Sequence, residues 1–292
     1  MSAGIFWLVS YPKSGNTWFR VFLENLRGDS DQPARINELK TGMIASARFW
    51  IDTVLGFDSA DLDADALDRL RPAVYGWTAD QATEAGYHKI HDAYTCLPDG
   101  EPLVSRAATR GALYLLRNPL DVAISLAHHS RCSIDQAIAH MGNPDYAFCA
   151  NPKRPDVQVR QKLLGWSGHV RSWVDAEGLA REVIRYEDMH ARPLETFTRA
   201  AVFLNLPSER AQIEKALRFS HITELQRQEA EDRFQETPQG VPQFFRKGQV
   251  GDWRATLTPA QVARIVADHG EVMARFGYLD ARGVPVEGAP LA

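Results

Sequence analysis

Cysteine is scarce in this chain: three among 292 residues, at positions 96, 132 and 149. An odd and widely spaced set makes no disulfide framework. No Cys-x-x-Cys or Cys/His spacing marks a zinc site, so no metal is expected and a reducing compartment is. Long apolar runs are missing too. Nothing approaches the ~20 consecutive apolar residues that cross a bilayer. The run Ile5–Val9 is too short for a signal-peptide core and has no basic residue before it. The expectation is a cytoplasmic protein with no membrane partner. Positive charge is not in excess either, with 33 Lys and Arg against 37 Asp and Glu for a formal net charge of −4. That argues against a nucleic-acid partner, though not against a local anion site. Internal repeats and low-complexity tracts are absent, which removes solenoids and fibres.

What is present reads as a globular enzyme-sized chain, 45% hydrophobic and 24% charged. The length suits one domain over 1–292, with the Gly-, Pro- and Ala-rich stretch 281–292 as a loosely ordered tail. Short β-branched or aromatic runs alternate with helical patterns. The fold expected is α/β, three layers (α/β/α) around a central, mainly parallel sheet. Ile5–Ser10 is the first buried strand, followed by a turn over Tyr11–Gly15. Trp18, Phe19, Phe22, Leu23 and Leu26 then recur at helical spacing. Ala112–Arg117 is a second strand, with Asn118 as helix N-cap, Pro119 at the first helical position, and Leu120, Ile124 and Ala127 along one face. Val183–Tyr186 is a third, leading to a helix that buries Leu194, Phe197, Ala201 and Leu204. Tyr87–His91 is a further short strand. The regions 28–80 and 130–165 look less regular, with turns at Gly142-Asn143-Pro144, Asn151-Pro152 and Arg154-Pro155, and are expected to wall a ligand site.

Between the first strand and helix lies Ser10-Tyr11-Pro12-Lys13-Ser14-Gly15-Asn16-Thr17-Trp18. Backbone N–H groups at such a turn, with the helix N-terminus behind them, form a P-loop-like phosphate-binding loop. Lys13 adds a mobile charge; Ser14, Asn16 and Thr17 add hydrogen-bonding side chains. The Walker order Gly-x-x-x-x-Gly-Lys-Ser/Thr is absent, because here the lysine precedes the glycine.

Tyr11–Trp18 closely resembles the 5′-phosphosulfate loop of the cytosolic-type sulfotransferases that use 3′-phosphoadenosine-5′-phosphosulfate (PAPS). The stretch Arg117-Asn118-Pro119-Leu120-Asp121-Val122-Ala123-Ile124-Ser125 is similar to their 3′-phosphate segment. Phe245-Arg246-Lys247-Gly248-Gln249-Val250-Gly251-Asp252-Trp253-Arg254 is similar to their C-terminal nucleotide motif. The three occur in the family's order and span nearly the whole chain. The resemblance implies a transferase moving a sulfonyl group from PAPS to a hydroxyl, or less readily an amine, of a small molecule, releasing adenosine 3′,5′-bisphosphate (PAP) and using no metal. It implies that Lys13, Ser14, Gly15, Asn16 and Thr17 hold the 5′ end. Arg117, Ser125, Arg246, Lys247 and Gly248 would hold the 3′-phosphate. Trp18, Tyr186 and Ser220 would contact the nucleoside.

The catalytic candidates are in His88-Lys89-Ile90-His91. On a strand, Lys89 and His91 share a face. The resemblance assigns His91 as general base and Lys89, with Lys13, as stabilisers of the transferring group. The chemistry suits these residue types: an alcohol gains nucleophilicity as its proton leaves, and histidine's ordinary pKa lies near neutral pH. His128 and His129 are a weaker alternative, lining an acceptor pocket or sitting favourably at a helix C-terminus.

Three departures from the family pattern stand out. Asp92-Ala93 replaces the usual Leu-Pro after the histidine, which would reshape the acceptor pocket. Ile222 replaces a phenylalanine beside adenine. Pro259 and Ala263 break the animal dimerisation motif, so that dimer is not expected and the oligomeric state is open. The aromatics Phe49, Trp50, Phe57, Tyr75, Trp77, Tyr146 and Phe148 fit an apolar or aromatic acceptor, or a core. The competing reading is a nucleotide-dependent kinase acting on a small molecule.

Overall fold

A computed structural model describes residues 3–151 and 157–288. The proline turns expected at 152 and 154–155 lie outside those residues. In chain order the elements are β1 (Ile5–Ser10), α1 (Asn16–Arg27), α2 (Arg48–Leu55), α3 (Ala64–Gln81), β2 (Gly86–Ile90), β3 (Thr109–Leu116), α4 (Pro119–Ser130), α5 (Ile134–Gly142), β4 (Ala147–Phe148), β5 (Gln161–Lys162), α6 (Trp166–Val174), β6 (Arg181–Arg185), α7 (Tyr186–Ala191), α8 (Pro193–Phe203), α9 (Arg210–Phe219), α10 (Ile222–Glu231), α11 (Trp253–Thr256) and α12 (Pro259–Arg275). The central sheet has four strands in the order β2-β1-β3-β6, mainly parallel and flanked by helices. β1 and β2 run parallel in register, from Ile5 beside Gly86 to Val9 beside Ile90. Every residue of β1 is buried, as a continuous apolar run in a parallel sheet should be.

Two compact units make up the chain. One comprises 1–11, 42–114 and 143–183; the other comprises 12–41, 115–142 and 184–292. In the first, the buried indole of Trp7 meets Tyr75 edge-on at 5.0 Å and donates to the Thr109 hydroxyl at 2.9 Å. α3 buries Leu67, Val74 and Tyr75 on one face, but Asp68 and Arg71 as well. Arg71 grips Asp92 through two hydrogen bonds, at 2.9 and 2.7 Å, and donates from Nε to the Tyr75 hydroxyl at 2.8 Å. Arg160 and Lys162 pair with Asp68. Charges this deep are tolerated because each has a partner.

In the second unit, α1 buries Phe19, Phe22, Leu23 and Leu26, with the Phe22 ring 4.3 Å from that of Phe197 in α8. Asn118 caps α4 as expected, its side chain accepting from the Leu120 N–H at 3.0 Å. Thr258 and Gln261 form a reciprocal capping box at the start of α12, with Pro259 in the first turn.

Several boundaries differ from the sequence reading. β3 begins at Thr109 and stops at Leu116, so Arg117 lies just past the strand. The third strand is Arg181–Arg185, and Tyr186 opens α7 instead of ending a strand. β2 ends at Ile90, leaving His91 one residue beyond it. The supposedly irregular regions contain α2, α3 and α5. Of the C-terminal stretch, the part to residue 288 is hydrogen-bonded: Val286 N–H donates to Tyr278, and Asn118 Nδ2 donates to the Val286 carbonyl. Residues 289–292 lie outside the described chain.

Candidate active site

The turn between β1 and α1 carries two left-handed residues, Lys13 at φ 72° and Gly15 at φ 94°. A lysine held there stores backbone strain of a kind that collects at functional sites. Gly15 is required twice over, because an added Cβ would also stand 2.7 Å from the Tyr186 ring. No side chain caps the N-terminus of α1. Its first-turn N–H groups and the positive end of the helix dipole are therefore available to an anion. Beside them, the buried Ser14 hydroxyl and the buried indole N–H of Trp18 have no hydrogen-bond partner. Leaving such a group unmet costs ~1–3 kcal/mol, and a phosphate-bearing ligand would satisfy them.

Arg117 gathers the three motif stretches of this unit. Nη1 donates to the Lys13 carbonyl and Nη2 to the Gln249 carbonyl, each at 3.0 Å, while the guanidinium lies 4.3 Å over the Tyr186 ring. Its Nε is buried without a partner. Asp121 in α4 accepts from the Gly251 N–H at 2.8 Å and the Trp253 N–H at 3.0 Å, pinning 245–254 to that helix. Glu187 accepts from the Asn118 N–H at 2.9 Å and the Tyr278 hydroxyl at 2.8 Å. Burial pushes its carboxyl up to about 7.

The remaining nucleotide candidates divide. Gly248 has φ 57°, and an added Cβ would lie 2.8 Å from the Ile222 side chain, so that isoleucine packs against the motif's glycine. Arg246 and Lys247 both pair with Asp252, at 3.4 and 2.6 Å. Ser125 is half-buried on α4, two turns beyond Arg117. Trp18 is half-buried among rings, 4.8 Å from His190, 5.5 Å from Phe197 and 5.8 Å from Tyr186. The hydroxyl of Ser220 donates to the Ala216 carbonyl at 2.8 Å, closing the end of α9. His128 Nε2 lies 3.3 Å from the Gln243 carbonyl in the last turn of α4.

The histidine cluster belongs to the first unit. The pairing of Val9 with Ile90 leaves Ser10 and His91 adjacent just past it. His91 Nδ1 stands 2.7 Å from the Ser10 carbonyl oxygen and 3.2 Å from its hydroxyl. A carbonyl only accepts, so the neutral imidazole carries its proton on Nδ1 and presents an unprotonated Nε2. The His91 carbonyl accepts from His169 Nε2 at 3.0 Å, and His169 Nδ1 accepts from the Tyr114 hydroxyl at 2.8 Å. Burial lowers His169 to about 4, which keeps it neutral for that arrangement. Lys89 sits on β2, two residues before. Asp92, expected in the acceptor pocket, is instead turned into the core against Arg71. His88 is likewise drawn inward, its ring stacked on Trp50 at 4.4 Å. The aromatics of the two wall regions split: Trp50 and Tyr75 are buried, Tyr146 and Phe148 half-buried, and Phe49, Phe57 and Trp77 exposed. Sequence reasoning missed Ser10 as the partner of His91, as well as Glu187 and His169. The parallel register of β1 and β2 is the signal that could have found the first. Among the described residues, no group of three or more His, Cys, Asp or Glu is placed to hold a metal ion, and no helix is long and apolar enough to cross a membrane.

A strained lysine turn after a buried strand, an uncapped helix and a converging arginine define an anion-binding α/β protein of the P-loop-like kind. A family model, the sulfotransferase domain, matches residues 5–277. The chain therefore belongs to the sulfotransferase family. Among curated relatives it is 22% identical over 271 residues to cytosolic sulfotransferase 12 of Arabidopsis thaliana, covering 88% of this chain and 74% of that one. It is 24% identical over 259 residues to human sulfotransferase 2B1, covering 87% and 62%. A shorter match, 32% identical over 87 residues, spans 28% of this chain and 26% of cytosolic sulfotransferase 10 of Arabidopsis thaliana. Solved structures with the same fold include mouse sulfotransferase SULT7A1 complexed with PAP, at TM-score 0.59 and 18% identity, covering 97% of this chain and 88% of that one. Retinol dehydratase in complex with retinol and PAP has TM-score 0.62 and 16% identity, covering 94% and 82%. The kinase alternative is not favoured by any of these.

Proposed function

We propose that this sulfotransferase uses PAPS as donor and a small hydroxyl-bearing molecule as acceptor. The observation that carries the reading is the set of buried polar groups around the turn at 13–18, the Ser14 hydroxyl, the Trp18 indole N–H and Arg117 Nε, which find no partner in the protein. A nucleotide with phosphates at both ends of its ribose supplies acceptors for such donors. Lys13, Ser14, Gly15, Asn16 and Thr17 would bind the 5′-phosphosulfate. Arg117, Ser125, Arg246, Lys247 and Gly248 would take the 3′-phosphate, with Lys247 and Arg246 exchanging Asp252 for it. Trp18 and Tyr186 would flank the nucleoside, and Ser220 would contribute through its position at the end of α9.

In the transfer, the acceptor oxygen attacks sulfur while the bond from sulfur to the bridging phosphate oxygen breaks. The acceptor's proton passes to His91 Nε2, and PAP leaves. The orientation of His91 supports its role as base, since Nδ1 is committed to Ser10. Lys89 and Lys13 would offset charge on the transferring group and on the leaving phosphate oxygen. Retinol dehydratase binds retinol in one structure and androsterone in another. Together with the aromatics of the wall regions, this favours an apolar or aromatic acceptor here. We place the protein in the cytoplasm, in keeping with its cytosolic-type relatives.

Calorimetric titration without magnesium, using PAP, adenosine 5′-monophosphate and ATP, tests the reading. PAP should bind at least about tenfold more tightly than the monophosphate, the equivalent of one charge-assisted contact. Equal affinities, or a preference for ATP restored by magnesium, would remove the 3′-phosphate pocket.

A further inference from the structure

His190 lies on α7 one turn beyond Tyr186, so the two side chains share a helix face. Its imidazole packs against two rings, 4.8 Å from Trp18 at an interplanar angle of 49° and 4.7 Å from Tyr186 at 66°. Yet the residue is exposed, and its ring nitrogens make no hydrogen bond with any described residue. A polar ring fixed by aromatic neighbours, with its nitrogens open, is held ready for something outside the protein. Trp18 repeats the pattern from the other side, with a buried indole N–H that has no partner. The surroundings also set the charge. Desolvation against the rings, and then repulsion from Arg117 and His221, lower the imidazole to about 4. At neutral pH it is an uncharged ring with one N–H donor and one acceptor. His221 is not an equivalent candidate, because its Nδ1 already caps α10 through Thr223.

We infer that His190 is a base-reading residue, which meets the edge of the nucleotide's purine while Trp18 and Tyr186 flank the ring. The inference rests on the nucleotide reading proposed above. A purine edge alternates ring-nitrogen acceptors with exocyclic groups, and a neutral imidazole can answer one of each at the same time. A cationic side chain at this place would have only donors and would be repelled by Arg117. An apolar one would add stacking alone. Ile222 lies against Gly248, where it supplies a packing surface without any hydrogen bond. Directional recognition of the base therefore falls to His190.

Calorimetry separates this inference from the reading beneath it. Wild type, His190→Ala and His190→Phe are titrated with PAP and with 1-deoxyribose 3,5-bisphosphate, which keeps both phosphates and lacks the base. His190→Ala should weaken PAP about tenfold, the value of one lost hydrogen bond, and leave the base-less ligand unchanged. His190→Phe should recover the stacking part of that loss only. Thermal melting should match wild type, since the side chain is exposed. An equal loss for both ligands, or no loss for PAP, overturns the role of His190 while the bisphosphate pocket stands. If wild type does not prefer PAP over adenosine 5′-monophosphate, the nucleotide reading itself fails, and the base-reading role fails with it.

Discussion

His91 is placed by its backbone as much as by its ring. Its carbonyl is fixed by His169 and its Nδ1 by the Ser10 carbonyl, so the imidazole is held at both ends of the residue. The second contact decides its chemistry, because it leaves Nε2 as the only unprotonated nitrogen. His91→Ala should lower turnover of a phenolic probe with PAPS by about 10²–10⁴, with calorimetric affinity for PAP unchanged. Normal turnover would take His91 out of the mechanism, and lost PAP affinity would make it structural. Ser10→Ala is the informative control. It removes only the weaker 3.2 Å hydroxyl contact and keeps the carbonyl, so activity should fall by less than about tenfold. At this scale the chain's chemistry was legible residue by residue in Lys13, Gly15, Arg117 and His91. The partners that orient them were not, since Ser10 and His91 are 81 positions apart and meet only through sheet register.

Among elements, those with a clean hydrophobic period could be read and those with a compensated polar core could not. β1 is apolar throughout, and α4 carries its cap and proline in sequence, so both emerged where expected. α3 did not. Pro72 and Gly76 look like breaks, and the buried face is interrupted by Asp68 and Arg71, which a pattern search scores as solvent-facing. Its polar core closes only with Asp92, Arg160 and Lys162, supplied from far along the chain. The same pairing explains Asp92 where relatives have leucine: the carboxylate serves Arg71, not the acceptor. Removing one partner of a buried pair costs ~3–5 kcal/mol, whereas replacing both by apolar groups is often close to neutral. Asp92→Ala should thus destabilise by about that amount in urea, and Arg71→Met with Asp92→Leu should recover most of it. A double variant no more stable than Asp92→Ala would mean that Arg71 is held by Asp68 and Tyr75, and that Asp92 is incidental.

For the molecule as a whole, the groups that burial perturbs set how stability depends on pH, and they act in opposite directions. His88 and His169 are both lowered from 6.5 to about 4 by desolvation. Each contributes stability that is present above pH 6.5 and is lost as pH falls toward 4, because the unfolded chain then binds protons that the folded one refuses. Glu187 is raised from 4.5 to about 7. Its contribution is full below pH 4.5 and is lost as pH rises through 7, because the folded carboxyl holds a proton that the unfolded one gives up. Between 4.5 and 6.5 two histidines oppose one glutamate, so wild-type melting temperature should climb with pH across that window and level off above 7. Glu187→Gln keeps an oxygen for the Asn118 N–H and cannot ionise, so it removes the opposing slope. Relative to wild type, its stability should improve by up to ~3 kcal/mol from pH 4.5 to pH 8, at 1.36 kcal/mol per pKa unit. Melting curves for the two proteins that run parallel across that range would mean that the carboxyl between Asn118 and Tyr278 is already ionised at neutral pH. The segment next to Arg117 would then be anchored by a charge instead of by a proton.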